Sequence, residues 1–159
     1  MRTLDEMPII LLVEDEEPIQ DFVRDVLGHA GVDLTVSSSA EEALVVLTSG
    51  VVRFRGLVTD IRIEGKLGGW ELARRVREIK PGFPVVYITG AAADQWDSQG
   101  VPDSILLQKP FAAAQLVAAI SRLLNDSHLK AVESFVGDMS AKLQKPALTH
   151  GIESRSGRT

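Results

Sequence analysis

Three carboxylates in this sequence stand directly after short apolar runs. Asp60 ends the run 57–59, and Glu14 with Asp15 ends the run 8–13. If the fold brings these acids together, two charges ~5 Å apart repel by roughly 3 kcal/mol at an effective dielectric constant of ~20. A proton or a cation must offset that repulsion. Because all the ligands are oxygens, the sequence favours a hard cation, and Mg²⁺ fits best.

A carboxylate beside such a cation can act as a nucleophile toward a phosphoryl group and form an acyl phosphate. Thr89 and Lys109 stand at the ends of two later apolar runs. An ammonium would neutralise phosphoryl oxygens, and a hydroxyl would hydrogen-bond another one. Phosphorylation adds a charge of roughly −1.5 to −2 with new acceptor oxygens, which is sufficient to reposition a nearby loop. The predicted site is therefore a switch.

The elements that must position these groups alternate between strand and helix. Apolar runs typical of buried strands lie at 8–13, 34–37, 56–60, 84–89 and 104–109, and helical spacing follows at 18–28, 39–50, 70–79, 91–98 and 112–124. This alternation predicts a doubly wound α/β sheet. Right-handed crossovers place the carboxyl ends of parallel strands at one edge, where ligands bind. Four of the five predicted strands therefore deliver a reactive group to one crevice.

Composition limits the class of protein. A chain of 159 residues with 45% hydrophobic residues suits one domain with its own core. The absence of cysteine excludes disulfides and thiol catalysis, and fits a reducing compartment. A net charge of −5 argues against a nucleic-acid surface. No apolar run approaches the ~20 residues of a membrane span. We expect a cytoplasmic protein without a nucleic-acid or membrane partner.

Four short segments carry a resemblance to a known family, and they are Leu12–Glu16, Val58–Arg62, Ile88–Ala91 and Gln108–Phe111. In this order and spacing, the region 7–125 resembles the receiver domain of two-component response regulators. The resemblance implies a flavodoxin-like sheet of order 2-1-3-4-5 with helices on both faces. It also implies a cis Lys109–Pro110 bond.

The resemblance further implies phosphoryl transfer to Asp60 from a histidine kinase or a histidine phosphotransfer protein. Mg²⁺ would be held by Asp15, Asp60 and the backbone carbonyl of Arg62, with Glu14 assisting through water. Thr89 and Lys109 would contact the phosphoryl group. Such a domain is a phosphoacceptor that promotes its own phosphotransfer and dephosphorylation rather than an enzyme. A stand-alone receiver would act through contacts with an unidentified downstream protein.

Three positions depart from the family pattern. Leu106 stands where the family has an aromatic rotamer switch, Glu64 replaces a usual proline, and Gly68-Gly69 replaces a usual Asp-Gly. Two other functions therefore stay open. One is a receiver-shaped binding module that works without phosphorylation. The other is an aspartyl-phosphate phosphohydrolase, although such enzymes place a second aspartate where Arg62 stands.

Residues 126–159 form an extension too short for a second domain. Apolar residues at helical spacing predict a helix at 128–143. That helix would pack back on the domain or form a surface for a partner or a second copy. Beyond Pro146 the composition is typical of a disordered tail.

Overall fold

A computed structural model of the chain describes residues 7–125 and the backbone of residues 152–154. The strands are β1 (Ile9–Val13), β2 (Asp33–Ser37), β3 (Gly56–Asp60), β4 (Val85–Thr89), β5 (Ile105–Gln108) and β6 (Ile152–Ser154). The helices are α1 (Glu17–His29), α2 (Ala40–Ser49), α3 (Gly69–Ile79), α4 (Trp96–Gln99) and α5 (Ala113–Leu124). The predicted alternation of strand and helix is confirmed through α5.

The strands form one sheet of order β2-β1-β3-β4-β5-β6. All pairings among β1 to β5 are parallel, so the predicted order 2-1-3-4-5 is confirmed. The strand order reverses direction between β1 and β3, because β2 lies on one side of β1 and the later strands lie on the other. A crevice for a ligand is expected at the carboxyl ends of these strands.

Two apolar layers cover the two faces of the sheet. In β1, Ile10 and Leu12 pack with α1 and α5, whereas Leu11 and Val13 pack with α2, α3 and α4. Alternate residues of a strand point to opposite faces. Both faces are covered, which explains why the strands are continuous apolar runs rather than alternating ones. Within the described residues, no helix is both long enough and apolar enough to cross a membrane.

The segment predicted as a weak helix at 91–98 is only partly helical. A 3₁₀ turn at Ala93–Gln95 leads into the four-residue helix α4. The hydroxyl of Thr89 accepts the N–H groups of Ala91 and Ala92, at 3.2 and 2.8 Å. These bonds hold the chain in a turn directly after β4, so a regular helix cannot begin there.

The tail differs from its prediction at one place. Ile152–Ser154 pairs with β5 in antiparallel fashion, with Leu106 opposite Glu153, although disorder is predicted beyond Pro146. The physical reason is that β5 would otherwise be an edge strand with unpaired backbone groups. Backbone pairing requires no apolar composition, so a polar segment can satisfy that edge. The predicted helix at 128–143 lies outside the described residues.

Candidate functional site: an acidic pocket

The predicted site residues meet at one edge of the sheet. Asp60 ends β3, Thr89 ends β4, Glu14 and Asp15 follow β1, and Lys109 follows β5. All but Glu14 line an open cavity of about 780 Å³. Glu14 lies behind that surface and is completely buried. The structure thus brings together side chains that lie almost a hundred residues apart in the sequence.

Lys109 is the central cation of the pocket. Its Nζ lies 2.9 Å from Asp60 Oδ2, 3.2 Å from Glu14 Oε1 and 3.1 Å from Glu16 Oε2. Burial alone would lower the pKa of Lys109. The hydrogen bond and charge of Asp60, together with the two glutamates, outweigh burial and raise that pKa above its ordinary value. The side chain is therefore an ammonium at any physiological pH.

The three acids form a cluster suited to a cation. One carboxylate oxygen each from Glu14, Asp15 and Asp60 lies within 4.8 Å of the others. Burial raises the pKa of Glu14, and the charge of Asp60 adds to that rise, while the N–H of Glu16 opposes it. Glu14 Oε1 is buried and forms an ion pair with Lys109 Nζ at 3.2 Å. Three carboxylates that share a single ammonium fit a hard cation such as Mg²⁺.

The backbone around Asp60 fixes its carboxylate. Thr59 Oγ1 donates to the Asp60 carbonyl at 2.9 Å, and the N–H of Arg62 donates to Asp60 Oδ1 at 3.3 Å. A Cβ on Gly69 would lie 2.3 Å from the Asp60 carbonyl oxygen. Only glycine lets α3 begin this close to the end of β3. Arg62 also lines the cavity, while a metal-binding role for its carbonyl stays a prediction.

The other side of the pocket is set by β4 and β5. The Lys109 N–H donates to the Thr89 carbonyl at 2.9 Å, which continues the pairing of the two strands past their ends. The Lys109–Pro110 bond is cis, as the resemblance implies. Thr89 Oγ1 faces the turn after β4 and accepts the N–H groups of Ala91 and Ala92.

Two acids in and around the site were not predicted. Glu16 accepts a hydrogen bond from Lys109. Its position in the acidic run Glu14-Asp15-Glu16 is a local signal that could have indicated this contact. Glu41, in the first turn of α2, accepts N–H groups from the loop between β3 and α3. An acid in the first turn of a helix is already explained by the helix dipole, so nothing in the sequence singled Glu41 out.

The sequence of this chain matches the family model of the response regulator receiver domain over residues 10–121. The response regulator receiver protein CpdR of Brucella abortus is 36% identical over 120 residues, which cover 74% of this chain and 98% of that protein. The C4-dicarboxylate transport transcriptional regulatory protein DctD of Rhizobium meliloti is 30% identical over 118 residues. These residues are 72% of this chain and 25% of that longer protein.

Solved structures agree with these matches. A response regulator receiver protein from Sinorhizobium medicae is 48% identical with a TM-score of 0.72, covering 76% of this chain and 96% of that one. The response regulator TrrA of Thermotoga maritima, solved in complex with Mg²⁺-BeF, is 26% identical with a TM-score of 0.65, covering 74% and 100%. Because the family match runs from β1 into α5 and CpdR is covered almost completely, the chain belongs to the receiver domain family of two-component response regulators.

Proposed function

We propose that this chain is a phosphorylation-dependent switch in which Asp60 accepts a phosphoryl group from a histidine kinase or a histidine phosphotransfer protein. The observation that carries the proposal is the pairing of the nearly buried Asp60 carboxylate with the Lys109 ammonium, at 2.9 Å. Two further acids adjoin this pair, and the cavity opens in front of it. The Asp60 carboxylate is thus oriented by Lys109 and faces the cavity through which a phosphodonor can approach.

The chemistry is a single displacement at phosphorus. One Asp60 oxygen forms a bond to phosphorus while the N–P bond of the donor phosphohistidine breaks, and the departing imidazole keeps or takes up a proton. The product is an acyl phosphate. The Lys109 ammonium neutralises charge on the phosphoryl oxygens. Thr89 Oγ1 accepts two backbone N–H groups, so its single hydroxyl proton is available to a phosphoryl oxygen.

We assign the Mg²⁺ ligands to Asp15, Asp60 and the backbone carbonyl of Arg62, with Glu14 acting through water. Bound Mg²⁺ supplies neutralisation of the charge that gathers on the transferred group. The spacing of the three acids, which outnumber the single ammonium beside them, supports the assignment. The related TrrA, solved in complex with Mg²⁺-BeF, supports Mg²⁺ as the cation.

The proposed role is that of a phosphoacceptor rather than a turnover enzyme. An aspartyl-phosphate phosphohydrolase would place a second aspartate where Arg62 stands. The Arg62 side chain lines the cavity and offers no carboxylate to activate water there. Multiple-turnover hydrolysis of phosphomonoesters by the purified chain would support the hydrolase instead, and we expect none.

An apolar groove beside the pocket supports a protein as phosphodonor. The groove of about 470 Å³ is lined by Pro18, Ile19, Phe22, Lys109, Pro110 and Phe111. Phe22 is 38% exposed and meets Phe111 edge to face, with ring centroids 5.8 Å apart. Exposed aromatic surface next to a reactive group favours docking of a partner surface. The donor histidine would then approach Asp60 past Lys109.

Output is proposed to depend on protein contacts, with a downstream protein or a second copy of the chain. We place the receiver domain at 7–125 and an extension at 126–159. Asn125 supports that boundary, because it ends α5 in the left-handed conformation at φ 50°. The family relatives include proteins much longer than this chain, so the output activity of DctD is not transferred to it.

Acetyl phosphate labelling tests the acceptor. The wild-type chain should gain one hydroxylamine-sensitive phosphoryl group in Mg²⁺, and Asp60→Asn should gain none, because an amide cannot form the acyl phosphate. Asp21→Asn is the matched control, since Asp21 is an exposed carboxylate on α1. Undiminished labelling of Asp60→Asn would reject the assignment.

A binding module that works unphosphorylated is the second candidate. It is favoured by Leu106, which is 1% exposed where the family carries a rotating aromatic side chain. The two functions differ in partner affinity. A phosphorylation switch requires a different affinity before and after labelling, whereas equal affinities would favour the binding module.

A further inference from the structure

The loop between β3 and α3 is held at its far end by Glu41 of α2. Glu41 Oε2 accepts the N–H of Lys66 at 2.9 Å and the N–H of Leu67 at 3.1 Å. Hydrogen bonds from its own N–H and from the Lys66 N–H lower the pKa of Glu41, so the group stays a carboxylate. One acid on a neighbouring helix thus satisfies two consecutive backbone donors of an irregular loop.

The fit between Glu41 and the loop is close. A Cβ on Gly65 would lie 2.6 Å from Glu41 Oε1, and Gly65 has a φ of +112° that side-chain-bearing residues rarely adopt. Glu41 Oε1 is buried and has no hydrogen-bond partner among the described residues. The loop therefore packs directly on the carboxylate, and glycine is required for that packing.

The near end of the same loop contacts the acidic cluster. The N–H of Glu64 donates to Asp15 Oδ2 and the N–H of Arg62 donates to Asp60 Oδ1, each at 3.3 Å. Both carboxylates belong to the proposed cation site, so a bound cation competes for them. Glu41 lies outside that cluster. A bound cation therefore does not compete for the Glu41 carboxylate, and Glu41 can hold the loop whether or not the cation is present.

We propose that Glu41 is a positioning residue that fixes the β3–α3 loop against the acidic cluster, so that Mg²⁺ affinity depends on it. The proposal deepens the proposed function and rests on it. With Lys66 and Leu67 anchored, the preceding residues 62–64 keep their place when Asp15 and Asp60 turn to the cation. Without the anchor, the loop must be ordered at the moment of binding, and that ordering opposes affinity.

The matched control is available in the same helical turn. Glu42 carries the same charge and is exposed, and its side chain makes no hydrogen bond or ion pair among the described residues; its backbone N–H donates to Ser39 Oγ. Glu41→Ala and Glu42→Ala therefore change net charge equally. We expect Glu41→Ala to raise the Mg²⁺ concentration for half-maximal acetyl phosphate labelling by about tenfold, a typical loss for groups that orient metal ligands. The labelling rate at saturating Mg²⁺ should stay near that of wild type.

Glu41→Gln tests the mechanism, because its amide oxygen still accepts the two N–H groups. It should fall between wild type and Glu41→Ala. Limited trypsin cleavage after Lys66, performed in EDTA, reports the loop without any metal. Glu41→Ala should be cleaved faster there than wild type, and Glu42→Ala should be cleaved like wild type.

The outcomes separate this proposal from the proposed function. Equal Mg²⁺ dependence of Glu41→Ala and Glu42→Ala, in a chain that is labelled normally, would overturn the role of Glu41 and leave the proposed function standing. Equal cleavage of the two variants would overturn the loop anchor. If wild type itself shows no Mg²⁺-dependent labelling, the proposed function fails, and the Mg²⁺ role of Glu41 fails with it.

Discussion

The two loops that border the acidic pocket are held by different chemistry. The loop after β3 is tied by carboxylates, namely Asp15, Glu41 and Asp60. The segment after β4 is tied mainly by neutral groups, and the Arg74 guanidinium also donates to the Gln99 carbonyl at 3.3 Å. Any cation or phosphoryl group that enters the pocket changes the charges holding the first loop. A cation or phosphoryl group in the pocket reaches the second segment through Gly90 and Ala91, which line the pocket, and through the hydroxyl of Thr89.

The neutral ties after β4 are buried. Trp96 Nε1 donates to Ser104 Oγ at 3.0 Å, and Tyr87 Oη accepts the N–H of Val101 at 3.1 Å. Trp96 is thus a packing residue, 5% exposed. Such bonds are insensitive to charge and to salt, whereas the carboxylate ties are sensitive to both. We call the loop after β3 (residues 61–68) the charge-responsive wall of the pocket and the segment after β4 (residues 90–104) the neutral wall. The two walls meet at Thr89.

Beside the neutral wall, an aromatic side chain on β4 lies next to Leu106, the position where the family has an aromatic switch residue. Tyr87 on β4 lies opposite Leu106 on β5 in the sheet register. Both side chains are buried, and Trp70 of α3 packs on Tyr87 with ring centroids 4.7 Å apart. Of these two paired positions, the aromatic side chain is therefore on β4, where Tyr87 Oη accepts the N–H of Val101.

The largest effect on stability is expected from Lys109→Met, which removes the ammonium beside Asp60, one of the carboxylates that hold the charge-responsive wall. The substitution leaves Glu14 and Asp60 buried without their cation, so the free energy of unfolding should fall by about 3 kcal/mol without Mg²⁺. Mg²⁺ should recover part of this loss, because it supplies a replacement positive charge. Urea denaturation with and without Mg²⁺ measures both. Arg75→Met, which breaks only an exposed pair with Glu71, is the control. A loss that Mg²⁺ leaves unchanged would argue against a cation beside these acids.

A smaller effect is expected on the neutral wall from Ser104→Ala. Trp96 Nε1 would lose its acceptor inside the core, which costs about 1–3 kcal/mol. The same cost should be measured with and without Mg²⁺, since no charge is involved. Ser98→Ala removes an exposed hydroxyl and serves as the comparison. If the loss of unfolding free energy in Ser104→Ala depended strongly on Mg²⁺, the neutral wall would also respond to charge, and the contrast between the two walls would be wrong.

The smallest change in stability is expected at the junction. Thr89→Val keeps the shape but removes the acceptor for Ala91 and Ala92, at a cost of about 1 kcal/mol. Asp60 should still be labelled by acetyl phosphate in this variant. In wild type we expect labelling to change Trp96 fluorescence, and this change should disappear in Thr89→Val, because the hydroxyl that joins the two walls is absent. A wild-type fluorescence change in Thr89→Val would place the coupling elsewhere.

Much of this arrangement follows from local sequence. Runs such as Leu57–Thr59 must be buried, and the polar residue that ends such a run must lie at the rim of the sheet. The alternation of elements, which short crossovers convert into a parallel sheet, is sufficient to predict that Asp60, Asp15 and Lys109 lie in one pocket.

The remaining features depend on contacts that no local pattern encodes. Glu41 meets Lys66 because α2 and the β3–α3 loop pack side by side, 25 residues apart in the chain. The strand β6 exists because β5 offers a free edge, so its own composition gives no signal. The short α4 follows from the bonds of Thr89 to the next turn, which compete with a helix at 91–98.

The most direct test is to locate the phosphoryl group chemically. Borohydride reduces an aspartyl phosphate to homoserine, which peptide mass spectrometry can place on a single residue. After treatment with acetyl phosphate and Mg²⁺, we predict homoserine at Asp60 and at no other position, with none formed in EDTA. Homoserine at a different aspartate, or equal amounts with and without Mg²⁺, would contradict a metal-assisted acceptor at Asp60.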